Sequence, residues 1–230
     1  MARILITSGP TRQYLDPVRY LTNASSGRMG AALAAAAVAR GHQVVLVSGP
    51  VEIAYPESVE LHQVISTEEM LQKCTDLFPH CDGMIGVAAP CDYRPEKIAT
   101  HKIAKTGDPL QMQLIETEDI VARLGKSKEN RWVVGFALET EDPRLRALVK
   151  LEKKSCDLMV LNGVDAMHSA TNAVEILEPS GESIGTFEGM KEVVAAQIFE
   201  LIEERLITSS TAQTETPHQP QKTKQARSSL

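Results

Sequence analysis

No stretch of this chain approaches the roughly 18 consecutive apolar residues that a membrane-spanning helix needs, and residues 1–20 lack a basic segment leading into an apolar one, so neither a span nor a secretory leader is expected. Cysteine is sparse. Cys74, Cys81, Cys91 and Cys156 form no CxxC pair and no His/Cys zinc spacing, so free thiols in a reducing cytoplasm are expected rather than a disulfide framework or a metal site. Positive charge is not in excess, and a net charge of −6 argues against a general nucleic-acid binder. The common nucleotide fingerprints are missing too. Gly27-Arg28-Met29-Gly30 starts about fifteen residues after the first strand instead of directly behind it, and Ser48-Gly49-Pro50 offers no acid for a ribose, against an NAD(P)-dependent Rossmann-type reductase. Gly125-Lys126-Ser127 resembles the end of a P-loop, but Ile120 stands where its first glycine belongs. No Ser/His/Asp or Cys/His constellation is visible either.

What is present is an ordinary globular composition, 43% apolar and 23% charged over 230 residues, enough for a substantial core. Strand and helix patterns alternate. Strands are expected at 3–8, 43–48, 83–89, 131–137, 158–161 and 173–177, each short, apolar and rich in branched residues. Helices are expected at 26–40 (closed by Gly41), from Thr67 to about Phe78, from Asp142-Pro143 to about Lys154, and at 190–205. This order predicts an α/β, Rossmann-like, doubly wound and mostly parallel sheet, with its site beyond the carboxyl ends of the strands. Residues 1–207 read as one domain. The Ser/Thr/Gln/Lys-rich stretch 208–230 reads as a disordered polar tail.

The most informative segment is TSGPTRQYLDPVRYLTNASSGRMG, where a strand breaks into a long polar loop and then a Ser/Gly-rich helix start. Free N–H groups and the positive end of the helix dipole favour a phosphate or carboxylate there. Small residues at 86–89 let a ligand approach the backbone, and Asp92 either accepts hydrogen bonds from a ribose or forms a turn. Phe136 is either a face for a base or ordinary core. Lys150 and Lys154 share a helix face, and with Lys102 and Lys105 they form either solvated surface or a polyphosphate clamp. Asn162 is either a ligand contact or a turn residue. Residues 93–112 are polar and lysine-rich without a period, and read either as a surface loop or as a flap over the site.

Four motifs in order, the segment above, AAPCDYRPEKIATHKIAK, GFALET and KLEKKSCDLMVLNGV, resemble the phosphopantothenoylcysteine synthetase family over about residues 2–205. The resemblance implies a ligase joining 4′-phosphopantothenate to cysteine through an acyl-cytidylate formed from CTP with Mg²⁺, in a cytoplasmic homodimer without membrane or nucleic-acid partners. It implies that Asn23 handles the substrate carboxylate and intermediate, with Lys102 beside it in catalysis. Ser25, Ser26 and Gly27 would bind phosphate. Ala88, Asp92, Lys102, Thr117, Glu118 and Phe136 would line the nucleotide, and Lys150 and Lys154 its triphosphate; no metal ligands are assigned. Two positions depart from the pattern: Pro90-Cys91 replaces a small apolar pair, and Ala104 replaces a lysine. No flavin-binding decarboxylase half is expected in the chain. The rivals are the reductase, disfavoured above, and a non-catalytic nucleotide-binding module, disfavoured by the retained Asn23 and lysines.

Overall fold

The computed structural model describes residues 1–163 and 171–208, so the expected tail lies, apart from Thr208, outside the described residues. Strands β1 (Arg3–Ser8), β4 (Gln43–Ser48), β5 (Glu60–Gln63), β6 (Gly83–Gly86), β9 (Trp132–Leu138) and β10 (Leu158–Asn162) pair in parallel, in spatial order β10-β9-β6-β1-β4-β5. Numbered among themselves, these strands run 3-2-1-4-5-6, the doubly wound order whose switch point lies between β1 and β6. Two antiparallel strands, β11 (Thr171–Leu177) and β12 (Ser183–Met190), extend the sheet past β10. The sequence shows β11 but not β12, whose alternation Gly185-Thr186-Phe187-Glu188 is diluted by glycine.

The strands are apolar on both sides because helices cover both faces. Ile4 and Ile6 of β1 join Val44, Leu46 and Ile85 under α1 (Arg28–Ala39) and α5 (Lys191–Ile202). Leu5 points the other way, with Val45, Val47, Met84 and Met159, under α2 (Thr67–Leu77), α3 (Ile120–Lys126) and α4 (Pro143–Lys153). A one-residue register slip in β1 would exchange the two sets. Alanine, the strongest helix former, fills much of α1, and its small side chains let the helix lie close to the sheet. The helix α2 is capped by Ser66, not Thr67: the Glu69 N–H donates to Ser66 Oγ at 3.1 Å. All four cysteines are free and buried, and burial pushes the thiols of Cys74 and Cys156 up to about 12. Among the described residues no helix is long and apolar enough to cross a membrane.

Candidate functional site at the carboxyl ends of β1 and β6

The residues between β1 and α1 are not an irregular loop. They form an antiparallel hairpin, β2 (Arg12–Tyr14) with β3 (Tyr20–Thr22), in which the Tyr14 and Tyr20 rings pack edge to face at 5.5 Å. Arg12 lies over the Tyr20 ring, 4.5 Å from its centroid. Sequence reasoning misses this hairpin because each strand is only three residues long, too short for a period of two to register.

The tight end of the hairpin is organised by Asp16, whose side chain is fully buried. Its Oδ1 accepts the N–H groups of Val18 (2.8 Å) and Arg19 (2.9 Å), and its Oδ2 accepts that of Ile103 (3.1 Å). Burial disfavours the charge, but these donors and the Arg19 guanidinium outweigh it and hold the carboxyl below the ordinary aspartate range.

The outgoing strand delivers Asn23. Its Nδ2 donates to the carbonyls of Pro90 (2.8 Å) and Ala89 (3.3 Å), seating it against the loop that leaves β6. That loop is fixed residue by residue. The Ala88 N–H donates to Thr7 Oγ1 (3.2 Å), the Ala89 N–H to the Gly9 carbonyl (2.9 Å), and the Cys91 N–H to Thr11 Oγ1 (2.8 Å). Pro90 has no N–H to give, and its carbonyl is the one Asn23 takes. Thr117 closes the loop from the far side: its Oγ1 donates to the Cys91 carbonyl (2.7 Å) and its N–H to the Asp92 carbonyl (2.9 Å). Thr11 and Thr67, both buried, share a hydroxyl contact of 2.8 Å beneath it. Neither Thr11 nor Thr67 stands out in the sequence as a site residue, because buried hydroxyls carry no spacing signal. Cys91 is itself buried, with Sγ 3.5 Å from the Thr11 carbonyl, so the departure at Pro90-Cys91 is absorbed by the packing.

The helix start needs one correction. Ser25 and Ser26 precede α1 rather than forming its first turn. The N-cap is Gly27, in the left-handed conformation at φ 75°, and no side chain caps the helix. A Cβ at Gly27 would be strained by that backbone, and one at Gly30 would lie 2.2 Å from Ser8 Oγ, so α1 can settle onto the end of β1 only with glycine there. Ser8 Oγ donates to the Gly27 carbonyl (3.2 Å) and accepts from Tyr55 (2.9 Å), bracing the N-cap from below. The leading N–H groups of α1 therefore lack a side-chain cap, beside the exposed Ser26 and the half-buried Ser25.

The remaining candidates lie on a charged rim. Lys150 pairs with Glu139, a nine-tenths buried carboxylate just past β9, and Lys154 pairs with Asp119 at 3.0 Å. Asp119 is also the N-cap of α3, accepting the Ala122 N–H at 2.9 Å. Burial raises its pKa, but Lys154 and that N–H bring it below the ordinary aspartate value. Glu118 pairs with Arg123 (3.5 Å). Phe136 is half-buried against the core under α1 and α5, one residue beyond Gly135, which is in register with Gly86. Asn162 accepts from Asn172 at 3.0 Å, a contact inside the sheet.

Residues 93–112 begin in β7 (Tyr93–Pro95), which pairs antiparallel with β8 (Leu114–Glu116). Lys102 and Lys105, in the connection between them, are exposed and make no ion pair among the described residues. A groove of about 490 Å³ lies one strand over, past β4 and β5, lined by Arg12, Gly49, Glu52 and Gln63 among others; it contains none of the candidate residues. Among the described residues no three His, Cys, Asp or Glu side chains cluster around a metal-sized space. A magnesium ion that keeps its waters and takes phosphate oxygens needs only one or two carboxylates, and Asp119 and Glu139 are those the rim offers.

The sheet order, with a glycine-capped helix start at its switch point, defines an α/β protein of the doubly wound, Rossmann-like class. The chain belongs to the family described as DNA/pantothenate metabolism flavoprotein, C-terminal domain, whose model matches residues 1–206. It is 45% identical over 186 residues to the coenzyme A biosynthesis bifunctional protein CoaBC of Vibrio vulnificus (strain YJ016), covering 78% of this chain and 46% of that protein. The chain thus spans about half the length of the curated relatives it matches. The crystal structure of the C-terminal domain of a CoaBC protein superposes with a TM-score of 0.75 at 38% identity, covering 89% of this chain and 96% of that one. A Cab2 mutant in complex with phosphopantothenate-cysteine shares the fold, with a TM-score of 0.77 at 16% identity, covering 91% of this chain and 88% of that one. The resemblance read from the four motifs is borne out.

Proposed function

We propose that this chain is a phosphopantothenate–cysteine ligase that works through an acyl-cytidylate. The observation that carries the reading is Asn23, held by two carbonyls against the Ala88–Asp92 loop and four residues before the uncapped N-cap of α1. A carboxylate and a phosphate entering there meet one amide side chain, one helix dipole and a loop whose backbone is already fixed. The Vibrio vulnificus relative is named for coenzyme A biosynthesis and the Cab2 structure for its bound phosphopantothenate-cysteine, which supports the substrate assignment.

In the first step a carboxylate oxygen of 4′-phosphopantothenate attacks the α-phosphorus of CTP. The new C–O–P bond forms as the bond to the β-phosphate breaks, and pyrophosphate leaves. In the second, the cysteine amine attacks the acyl carbon, CMP departs with the bridging oxygen, and the spare amine proton passes to solvent. Neither step requires a side chain of unusual pKa; both require positioning and neutralisation of charge. Asn23 would orient the carboxylate. The α1 N–H groups with Ser25 and Ser26 would receive phosphate, and Ala88, Asp92, Thr117, Glu118 and Phe136 would line the nucleoside. Lys150 and Lys154, on exchanging Glu139 and Asp119 for phosphate oxygens, would hold the departing pyrophosphate, with Lys102 closing from the flap. Magnesium belongs to the co-substrate, as the counter-ion of the nucleotide phosphates. The protein would act as a cytoplasmic homodimer.

Phosphopantothenate labelled with heavy oxygen in its carboxylate tests this directly. One labelled oxygen is expected in CMP. Label in inorganic phosphate instead would mean attack at the γ-phosphorus and would overturn the acyl-cytidylate; the same run with ATP gives the nucleotide preference.

A further inference from the structure

The segment that carries Lys102 is not a free loop. Three contacts to its main chain pin it to the β2–β3 hairpin: the Ala99 N–H donates to the Leu15 carbonyl (3.0 Å), the Ile103 N–H to Asp16 Oδ2 (3.1 Å), and Arg19 Nη2 to the Ile103 carbonyl (2.5 Å); within the hairpin, Arg19 Nε sits 3.3 Å from Asp16 Oδ2. Ile103 is thus gripped on both its N–H and its carbonyl, immediately after Lys102. Asp16 joins the two sides of the grip, because one oxygen shapes the hairpin turn and the other holds the flap.

We propose that Asp16 is a positioning residue: it latches the flap at Ile103 to the same hairpin that delivers Asn23, and so fixes where Lys102 stands relative to the substrate carboxylate. A lysine on an untethered connection would lose conformational entropy each time it met a nucleotide. The latch meets that cost during folding. It is a charge-assisted contact to a buried carboxylate, the kind that sets geometry. The part of the inference that concerns the nucleotide rests on the ligase reading; the latch itself does not.

Asp16→Asn separates the two functions of the side chain. The amide oxygen can still accept from Val18 and Arg19, so the turn is kept. The amide NH₂ would face the Ile103 N–H and the Arg19 guanidinium, donor against donor, so the latch is lost. Trypsin reads this without any ligand, because the Lys102–Ile103 bond lies inside the grip whereas Lys126, at the end of α3, does not. Cleavage at Lys102–Ile103 is expected to speed up about tenfold in the variant, with cleavage at Lys126 unchanged, as local opening rather than global unfolding predicts. The KM for the nucleotide is expected to rise about tenfold with kcat changed less, since the lysine is mispositioned before chemistry. A variant that melts cooperatively yet shows wild-type cleavage overturns the latch. Faster cleavage with an unchanged nucleotide KM overturns the positioning role. If the wild-type protein shows no ligation, the ligase reading fails while the cleavage result still decides the latch. If Asp16→Asn does not fold, Arg19→Met keeps the aliphatic stem and both Asp16 turn bonds, removes the other half of the grip, and is expected to give the same two changes.

Discussion

The two sides of the site are built from different materials. On the β1/β6 side, the candidate groups are backbone or short polar side chains, each held by a neighbour: Ala88 by Thr7, Ala89 by Gly9, Cys91 by Thr11, Gly27 by Ser8. On the lysine side, Lys150 and Lys154 sit against the carboxylates of Glu139 and Asp119, charged partners drawn from other elements of the chain. On the proposed function, the first side is prebuilt for a small carboxylate and phosphate, and the second exchanges partners to take up a triphosphate. A rigid half can specify the substrate, and an exchangeable half can release pyrophosphate.

Removing Asn23 should break the rigid half most severely. Asn23→Ala is expected to lower kcat about a hundredfold or more while leaving the melting temperature close to wild type, since the side chain is exposed and its loss removes only two hydrogen bonds to carbonyls that water can reach. Steady-state ligation and a thermal melt together check it. Thr11→Val attacks the same half from below. It leaves the Cys91 N–H without its buried partner, while the Thr67 hydroxyl keeps the Cys91 carbonyl at 3.2 Å, at a cost of about 1–3 kcal/mol, or a fall in Tm of roughly 2–10 °C for a domain of this size.

The exchangeable half should respond in binding rather than in folding. Lys154→Met is expected to weaken nucleotide binding about tenfold, measurable by calorimetry, because one charge-assisted phosphate contact is lost. Asp119→Ser sharpens the comparison in the opposite direction. Serine can still cap α3, while Lys154 is freed for the nucleotide, so affinity should improve by a few fold. The smallest effect is that pair's contribution to stability. The Asp119 carboxyl is held below its ordinary value, so the contribution is complete above the unfolded-state pKa near 4 and disappears as pH falls through the lower folded-state value. Asp119 is about half exposed, and the advantage of wild type over Asp119→Ser at neutral pH should stay below about 1 kcal/mol and vanish in acid. Chemical denaturation at several pH values reads it.

These contrasts follow what the sequence could reveal. Five of the six parallel strands and the helices α1, α2, α4 and α5 are legible because each shows its apolar pattern and ends in a turn signal, as in Gln43–Ser48 before Gly49-Pro50. By contrast, β5 (ELHQ) has no apolar run and α3 is only seven residues long. Asn23 bonds to the Ala88–Asp92 loop that Thr117 closes from the far side, so the first two of the four motifs are also neighbours in space. The short hairpins β2–β3 and β7–β8 were hidden because three residues cannot display alternation. Glu139, within the quoted GFALET motif, and Asp119 escaped notice for another reason. Their meaning lies in which lysine they meet, a relation between elements distant in the chain. Asp16 likewise looks like an ordinary Asp-Pro turn until Ile103 is seen to donate to it.

The most direct test is pyrophosphate release by the purified protein with magnesium and CTP, measured with and without 4′-phosphopantothenate and then with cysteine added. Release that depends on phosphopantothenate, followed by CMP and the cysteine amide once cysteine is present, is the predicted result. Measurable CTP binding with no pyrophosphate released under any of these conditions would contradict it and leave a nucleotide-binding module in its place.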